Sequence, residues 1–154
     1  MIIRKARLND LEAIGRHYAR LFSEMAALQP DCLTSAEQSP GFIINAINSP
    51  GYLMLTAEDD NGEVVGFAMA REQSSPPYPC LQPRRLAYLM DMSVEPKFRE
   101  LGLGSAFIER IKAWALNRGL EYMELNVLEE NYRALELYER LGFRSSNRTM
   151  RLKL

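Results

Sequence analysis

The sequence Arg-Glu-Leu-Gly-Leu-Gly-Ser at residues 99–105 has the clearest capacity for chemistry in this chain of 154 residues. It lies between an apolar, extended stretch that ends at Val94 and a run of helical periodicity at residues 106–118. Because glycine lacks a Cβ atom, the backbone at Gly102 and Gly104 can approach a ligand closely. The first amides of a helix are free donors at its positive end. The segment is therefore typical of a phosphate-binding turn, although glycine pairs also occur where a strand simply turns into a helix.

A second group of residues, downstream of this turn, has helical spacing. Asn131, Ala134 and Tyr138 follow one another at steps of three and four residues, which places them on one face of a helix. Leu137 and Leu141 form a neighbouring apolar stripe that favours the core. An asparagine and a tyrosine are thus expected to face a common cleft. Taken alone, Tyr138 is more typical of a packed aromatic residue.

Length and composition predict one globular domain over residues 1–154, with 47% apolar and 25% charged residues. The 19 basic and 20 acidic residues give no net field that would attract nucleic acid or an anionic membrane. The two cysteines have no paired spacing, so we expect neither a disulfide scaffold nor a metal site. No signal peptide or long apolar run is evident. We therefore expect a soluble, cytoplasmic protein.

Apolar periodicity predicts an alternation of strands and helices along the chain. Asn61-Gly62 predicts a hairpin, and four prolines within residues 73–85 predict a long connection. His17, the only histidine, lies beside the apolar stripe of the first helix, and a lone helix histidine is more often a surface or a structural residue than a catalytic one. The expected elements are strands at residues 2–6, 52–57, 64–71, 89–94 and 122–127, helices at 9–28, 41–48, 106–118 and 131–141, and a final strand pair that includes residues 150–154.

Both motifs resemble those of the GNAT superfamily of N-acyltransferases. Arg-x-x-Gly-x-Gly at residues 99–104, after Val94-x-Pro96, resembles its acyl-CoA signature of Gln or Arg, two residues, Gly, one residue, then Gly or Ala. Asn-x-x-Ala-x-x-x-Tyr-x-x-x-Gly-Phe at residues 131–143 resembles the helix that follows its fifth strand. Neither the dinucleotide fingerprint nor the P-loop matches the glycine spacing. The resemblance covers nearly the whole chain in element order, and its specific part is residues 89–143.

The resemblance implies a three-layer α/β (α+β) fold. Its central sheet would be mixed, mostly antiparallel and six- to seven-stranded, flanked by about four helices, with the fourth and fifth strands splayed apart. The pantetheine arm of acetyl-CoA would lie in that gap, and Asn131 and Ala134 would border the cofactor. The implied backbone contacts to the arm are Met92, Ser93 and Val94. The implied pyrophosphate site comprises Arg99, Glu100, Leu101, Gly102, Leu103, Gly104 and Ser105, with Arg99 adding charge.

The family's reaction would move an acetyl group from acetyl-CoA to a primary amine by direct attack in a ternary complex. Tyr138 would be the general acid that protonates the departing thiolate, and an N–H near Met92 would polarise the carbonyl. Related polyamine acetyltransferases carry Glu-Asp where this chain has Met90-Asp91, so the most obvious base is missing. Strand alternation would also place Asp91 on the opposite face from Met90 and Met92.

The identity of the base therefore stays open between several alternatives. Asp91 is either the base or only a structural residue. A water molecule held by Glu124 or Asn126 is a second candidate for accepting the proton. In the third alternative the amine arrives neutral and needs no base. The resemblance allows a homodimer, and it implies a small-molecule or peptide amine as the second substrate. Its acceptor pocket would be built from residues 22–42 and 73–85. The alternative function is a non-catalytic protein of the same fold that binds or senses an acyl-CoA.

Overall fold

Five strands form one mixed sheet, and four helices cover its two faces. The computed structural model describes all 154 residues. A short 3₁₀ turn at Leu8–Asp10 precedes the first helix, and a second one at Pro96–Phe98 precedes the glycine turn. The elements are β1 (Ile2–Lys5), α1 (Leu11–Leu28), α2 (Pro40–Asn48), β2 (Tyr52–Glu58), β3 (Val64–Ser74), β4 (Arg85–Val94), α3 (Leu103–Asn117), β5 (Tyr122–Leu125) and α4 (Tyr132–Arg140).

The strands follow the order β1-β2-β3-β4-β5 across the sheet. The first four are antiparallel, and β5 is parallel to β4 because the crossover through α3 returns the chain to the same end of the sheet. The predicted hairpin at Asn61-Gly62 is confirmed, and Gly62 has the positive φ of 83° that such turns favour. No helix combines the length and the apolar composition that a membrane span would need.

Two apolar cores separate the three layers, as the α+β prediction requires. On one face, α1 and α2 pack through Tyr18 and Ile43 onto Phe67 and Met69 of β3. On the other face, Phe107 of α3 and its neighbours pack onto the alternate residues of the same strand, Ala68 and Ala70. Successive side chains of a strand point to opposite faces, so β3 contributes to both cores.

The predicted number of strands is wrong: the sheet has five strands, not six or seven. Residues 144–154 form no strand, and none of their backbone groups makes a backbone hydrogen bond. Met150, Leu152 and Leu154 of this segment are exposed, so no apolar face holds it against a sheet edge. Side-chain contacts link it to other parts of the chain, such as the ion pair between Lys153 and Asp31.

The strands before and after the proline-rich connection are longer than predicted. β3 extends to Ser74 and β4 begins at Arg85, and these two residues are paired across the ladder. Cross-strand pairing thus extends regular structure into segments whose local composition is typical of a loop. Similarly, α3 begins at Leu103, three residues before the predicted start, so the second glycine of the turn lies inside the helix.

Candidate active site

Beyond the end of the short edge strand β5, a gap borders one side of β4. Their pairing ends at Leu89 and Leu125, whereas β4 continues to Val94 with β3 as its only neighbour. Alternate N–H and C=O groups of residues 90–94 therefore point away from β3 into the gap. The predicted contact residues Met92, Ser93 and Val94 lie on this free edge, whereas the predicted splay of the fourth and fifth strands stays a prediction, because β5 is paired over its whole length and ends at Leu125.

A β-bulge at Met90 changes which side chains face which layer. Met69 pairs with Asp91 and Ala70 with Leu89, so Met90 is the extra residue. Met90 packs on the α1/α2 core, and Met92 packs on the α3 core. Asp91 faces α1, because its Oδ2 accepts a hydrogen bond of 2.9 Å from the hydroxyl of Tyr18. The predicted opposition of Asp91 and Met92 is confirmed, but that of Asp91 and Met90 is wrong, because the bulge breaks the alternation.

The Asp91 carboxyl group lies in a poorly solvated environment. Burial raises its pKa above the ordinary value, and the hydrogen bond from Tyr18 opposes that shift only in part. The pKa of Tyr18 is raised as well, first by burial and then by the nearby carboxylate. The pair links α1 to the bulge in β4. Asp91 is thus a stronger proton acceptor than an exposed aspartate, although one oxygen is held by Tyr18.

The glycine turn presents a row of unused donors. Every backbone amide from Glu100 to Ser105 lacks a hydrogen-bond acceptor within the protein, and Ala106 is the first residue to bond back, to the carbonyl of Gly102. Glu100 and Gly102 adopt left-handed conformations, with φ of 67° and 82°. Successive amides in such a turn, at the N-terminus of α3, form a concave site for an anion.

Gly104 has a packing role in addition to its place in this turn. A Cβ atom at position 104 would lie 2.9 Å from Cδ2 of Leu137, closer than real side chains approach. The glycine therefore allows α4 to pack against the first turn of α3. This contact brings the helix with Tyr138 next to the turn.

Arg99 ties the turn to its surroundings. Its Nε donates a hydrogen bond of 2.8 Å to the carbonyl of Val94, and its Nη2 forms an ion pair with Glu24 at the end of α1. The guanidinium group thus connects the end of β4 to α1. Its predicted contribution of charge to a pyrophosphate stays a prediction.

Helix α4 presents Tyr138 on the same side of the sheet as Met92. Both residues pack against the α3 core, and the Tyr138 ring meets Phe143 edge-on at 5.7 Å between ring centroids. Burial raises the pKa of Tyr138 to about 12, so the phenol is protonated at neutral pH. Its hydroxyl makes no hydrogen bond within the protein. Asn131 caps α4, because its Oδ1 accepts from the amide of Ala134 at 3.2 Å.

The opposite face of the sheet carries the acidic candidates and an arginine that the sequence reasoning missed. Arg71, Tyr88 and Glu124 occupy one row across β3, β4 and β5. Burial raises the pKa of Tyr88, the Arg71 cation lowers it, and the charges of Asp91 and Glu124 raise it. Three charged side chains therefore influence the Tyr88 phenol beside the gap. Arg71 directly follows the buried, apolar part of β3. A cation at the end of such an apolar run is the sequence feature that could have indicated a binding role for Arg71.

A separate polar cavity of about 320 Å³ lies between α1 and the β2–β3 turn. None of the predicted site residues lines it. His17 lines this cavity, is almost fully buried, and its Nε2 lies 3.2 Å from the carbonyl oxygen of Val64. Burial lowers the pKa of His17, which favours the neutral ring. The side chain connects α1 to β3, so of the two alternatives for His17 the structural one holds and the surface one is wrong.

The sequence profile described as the acetyltransferase (GNAT) family matches residues 19–143. This chain belongs to that family. The matched range begins within α1 and ends just after α4, so it includes the free edge of β4, the glycine turn and Tyr138. The GNAT fold predicted from the two motifs is thereby confirmed.

Curated relatives match only part of the chain. The thialysine N-epsilon-acetyltransferase of Bos taurus is 41% identical over 58 residues, which are 38% of this chain and 34% of that protein. The Sus scrofa protein of the same name is 40% identical over 60 residues, or 39% and 35% of the two chains. The match therefore spans about a third of the length of these curated relatives.

Solved structures match over the whole chain. A four-substitution variant of the BH1408 protein from Bacillus halodurans superposes with a TM-score of 0.93 at 25% identity, and the match covers 100% of both chains. The aminoglycoside N-acetyltransferase AAC(6')-Iy, in complex with CoA, gives a TM-score of 0.71 at 21% identity, with coverage of 99% and 98%. The second likeness shows a shared fold alone.

Proposed function

We propose that this chain is an N-acetyltransferase that moves an acetyl group from acetyl-CoA to a primary amine of a small molecule or peptide. The observation that carries the proposal is the free edge of β4, which leads into the unbonded amides of residues 100–105 and includes Met92, whose side chain packs against the same core as Tyr138. The family membership supports this function. So do the named activities of two similar proteins, a thialysine acetyltransferase and an aminoglycoside acetyltransferase whose structure contains CoA.

The donors of this chain fit coenzyme A. Its pyrophosphate needs a row of N–H groups, and the amides of residues 100–105 are free at a helix N-terminus. Its pantetheine arm carries amides that need a strand edge, and residues 92–94 lie on such an edge. We therefore propose that Met92, Ser93 and Val94 hold the arm, while Asn131 and Ala134 border the cofactor from α4.

When bound, acetyl-CoA supplies an activated acyl group as a thioester. A backbone N–H near Met92 donates toward the acyl oxygen and stabilises negative charge there. Tyr138 holds a proton at its hydroxyl, and its raised pKa keeps that proton in place over the physiological range. A positioned general acid of this kind contributes about 10² to 10⁴ to the rate.

The acceptor amine must lose a proton, and we propose that Glu124 receives it through a water molecule. The Glu124 side chain is exposed and has no ion-pair or hydrogen-bond partner within the protein. Asp91 is the second candidate, since burial raises its pKa, but its Oδ2 is held by Tyr18. In this arrangement Asp91 adds negative charge near the phenol of Tyr88.

Replacing Tyr138 with phenylalanine tests the proposal. Tyr138→Phe removes the hydroxyl and keeps the ring that packs on Phe143, so we expect kcat to fall about 100-fold or more while CoA affinity is unchanged. Thiol release from acetyl-CoA across a panel of amines measures the rate, and isothermal titration measures CoA binding. Tyr132→Phe is the matched control, because Tyr132 lies on the same helix and is 75% exposed.

Three outcomes would contradict this hypothesis in whole or in part. An unchanged rate for Tyr138→Phe at every pH would remove the general-acid role. Failure of the wild-type protein to bind CoA or acetyl-CoA would remove the whole function. Tight binding of CoA without thiol release from any amine would favour the binding or sensing protein instead.

A further inference from the structure

Arg71 is a half-buried cation for which the protein provides no acidic partner. Its Nη2 donates to the amide oxygen of Gln73 at 3.1 Å, and its Nε is buried without any acceptor. The neighbouring Glu72, on the opposite face of β3, is by contrast bound by both Arg85 and Arg118. An arginine has five N–H donors, so Gln73 leaves most of those of Arg71 unused. Leaving such a group unsatisfied is costly, so an anionic ligand that reached Arg71 would find unused donors there.

Arg71 lies on the face of the sheet that α1 and α2 cover, in register with Tyr88 of β4. Its Cζ lies 6.0 Å from the centroid of the Tyr88 ring, so the guanidinium group leans toward β4. Tyr88 is in register with Arg71 on one side and with Glu124 on the other. Strands lie about 4.8 Å apart, so the backbones of Arg71 and Glu124 are separated by roughly 10 Å. Their side chains lie in one row beside the last paired residues of β4 and β5.

This row has opposite charges at its two ends. The phenol of Tyr88 is influenced by the cation of Arg71 and by the carboxylates of Asp91 and Glu124. Neither Arg71 nor Glu124 forms an ion pair within the protein, so both charges are available to a ligand. A molecule that carries an amine and an anionic group complements such a row better than one that carries amines alone.

We propose that the row of Arg71, Tyr88 and Glu124 selects an acceptor that carries a carboxylate as well as the reacting amine, as amino acids and short peptides do. This inference rests on the proposed acetyltransferase function and specifies its substrate class. Arg71 binds the carboxylate, for which the planar guanidinium fork is well suited. Gln73 holds the guanidinium without neutralising it, and Glu124 lies at the end of the row where the amine enters the gap.

Matched pairs of amines that differ only by the carboxylate test the selection. Lysine and cadaverine form one pair, and ornithine and putrescine form another. We expect the wild-type protein to favour the carboxylate member at least about tenfold in kcat/KM, mainly through KM, because charge-assisted hydrogen bonds of this kind are strong. Arg71→Met and Arg71→Gln should each reduce that ratio toward one, and Arg71→Lys should restore part of it.

Binding measurements separate this proposal from the proposed function. CoA titration of the wild type and each Arg71 variant should give equal affinities, which shows that the variants are folded and that the cofactor site is intact. The same amine pairs are then titrated into protein saturated with CoA, which carries no acetyl group. The preference for the carboxylate is thus measured as a ratio of binding affinities, without turnover. Arg110→Met is the control, since it removes a cation on the other side of the sheet, where Arg110 contacts the carbonyl of Ile3.

Two outcomes overturn the selection by Arg71 while leaving CoA binding intact. In the first, the wild-type protein binds and acetylates the amines that carry a carboxylate no better than their partners without it, or it binds neither member of a pair. In the second, the wild-type protein prefers the amines that carry a carboxylate, and the Arg71 variants keep the same preference. Loss of CoA binding in the wild type would instead refute the acetyltransferase function itself.

Discussion

Gly66 of β3 packs closely against the proposed cofactor edge of β4. A Cβ atom at this position would lie 2.9 Å from the carbonyl oxygen of Ser93, 3.3 Å from Cγ2 of Val94 and 3.4 Å from Cε2 of Phe107. An ordinary contact between such atoms is about 3.5 Å, so Gly66→Ala must move β4 by roughly 0.5 Å. The displaced segment is the one that we propose to hold the pantetheine arm.

The energetic cost follows from these contacts. Overpacking of a tight interior costs about 1–3 kcal/mol, and replacing glycine in a strand returns about 0.5–1 kcal/mol of backbone entropy. We therefore expect Gly66→Ala to lower the free energy of unfolding by about 1–2 kcal/mol, or Tm by about 2–8 °C for a chain of this size. Weakened hydrogen bonds from the shifted edge should also raise the Kd for CoA about fivefold.

Gly15→Ala is the matched control for this substitution. Gly15 lies inside α1, and a Cβ atom there meets nothing within 4 Å, so the same change should stabilise the protein by about 0.5–1 kcal/mol and leave CoA binding unchanged. Thermal and urea unfolding report the stability, and isothermal titration reports the affinity. A Gly66→Ala protein at least as stable as the wild type would refute the reasoning about this contact.

Two further substitutions test the electrostatics and the backbone of the site. Burial raises the folded-state pKa of Asp91 above its unfolded value, so Asp91→Asn should raise the free energy of unfolding at pH 7, with the gain vanishing as the pH falls to about 4. Urea unfolding at the two pH values measures this, and no gain at pH 7 would contradict it. Gly102→Ala places a Cβ on a backbone with φ of 82° and should cost about 1 kcal/mol, whereas Glu100→Gly should relieve similar strain at φ of 67°. Equal stabilities of these two variants would contradict the assigned backbone geometry.

The sequence by itself determined the features that depend on local spacing. The steps of three and four between Asn131, Ala134 and Tyr138 predict their shared helix face, and the Asn61-Gly62 pair predicts the hairpin. The glycine turn was also evident, since the need for a close backbone approach before a helix is a local property. These features sufficed to predict the family, which the match over residues 19–143 confirms.

Only the tertiary structure decided the features that depend on partners distant in the chain. The bulge that turns Asp91 toward Tyr18 arises from the register of β3 against β4, and no local pattern specifies it. The five-strand sheet likewise depends on whether residues 144–154 find an edge to pair with. Arg71 gains its position from neighbours on two other strands. Register and pairing are set by packing across the whole sheet, so alternation within one strand cannot predict them.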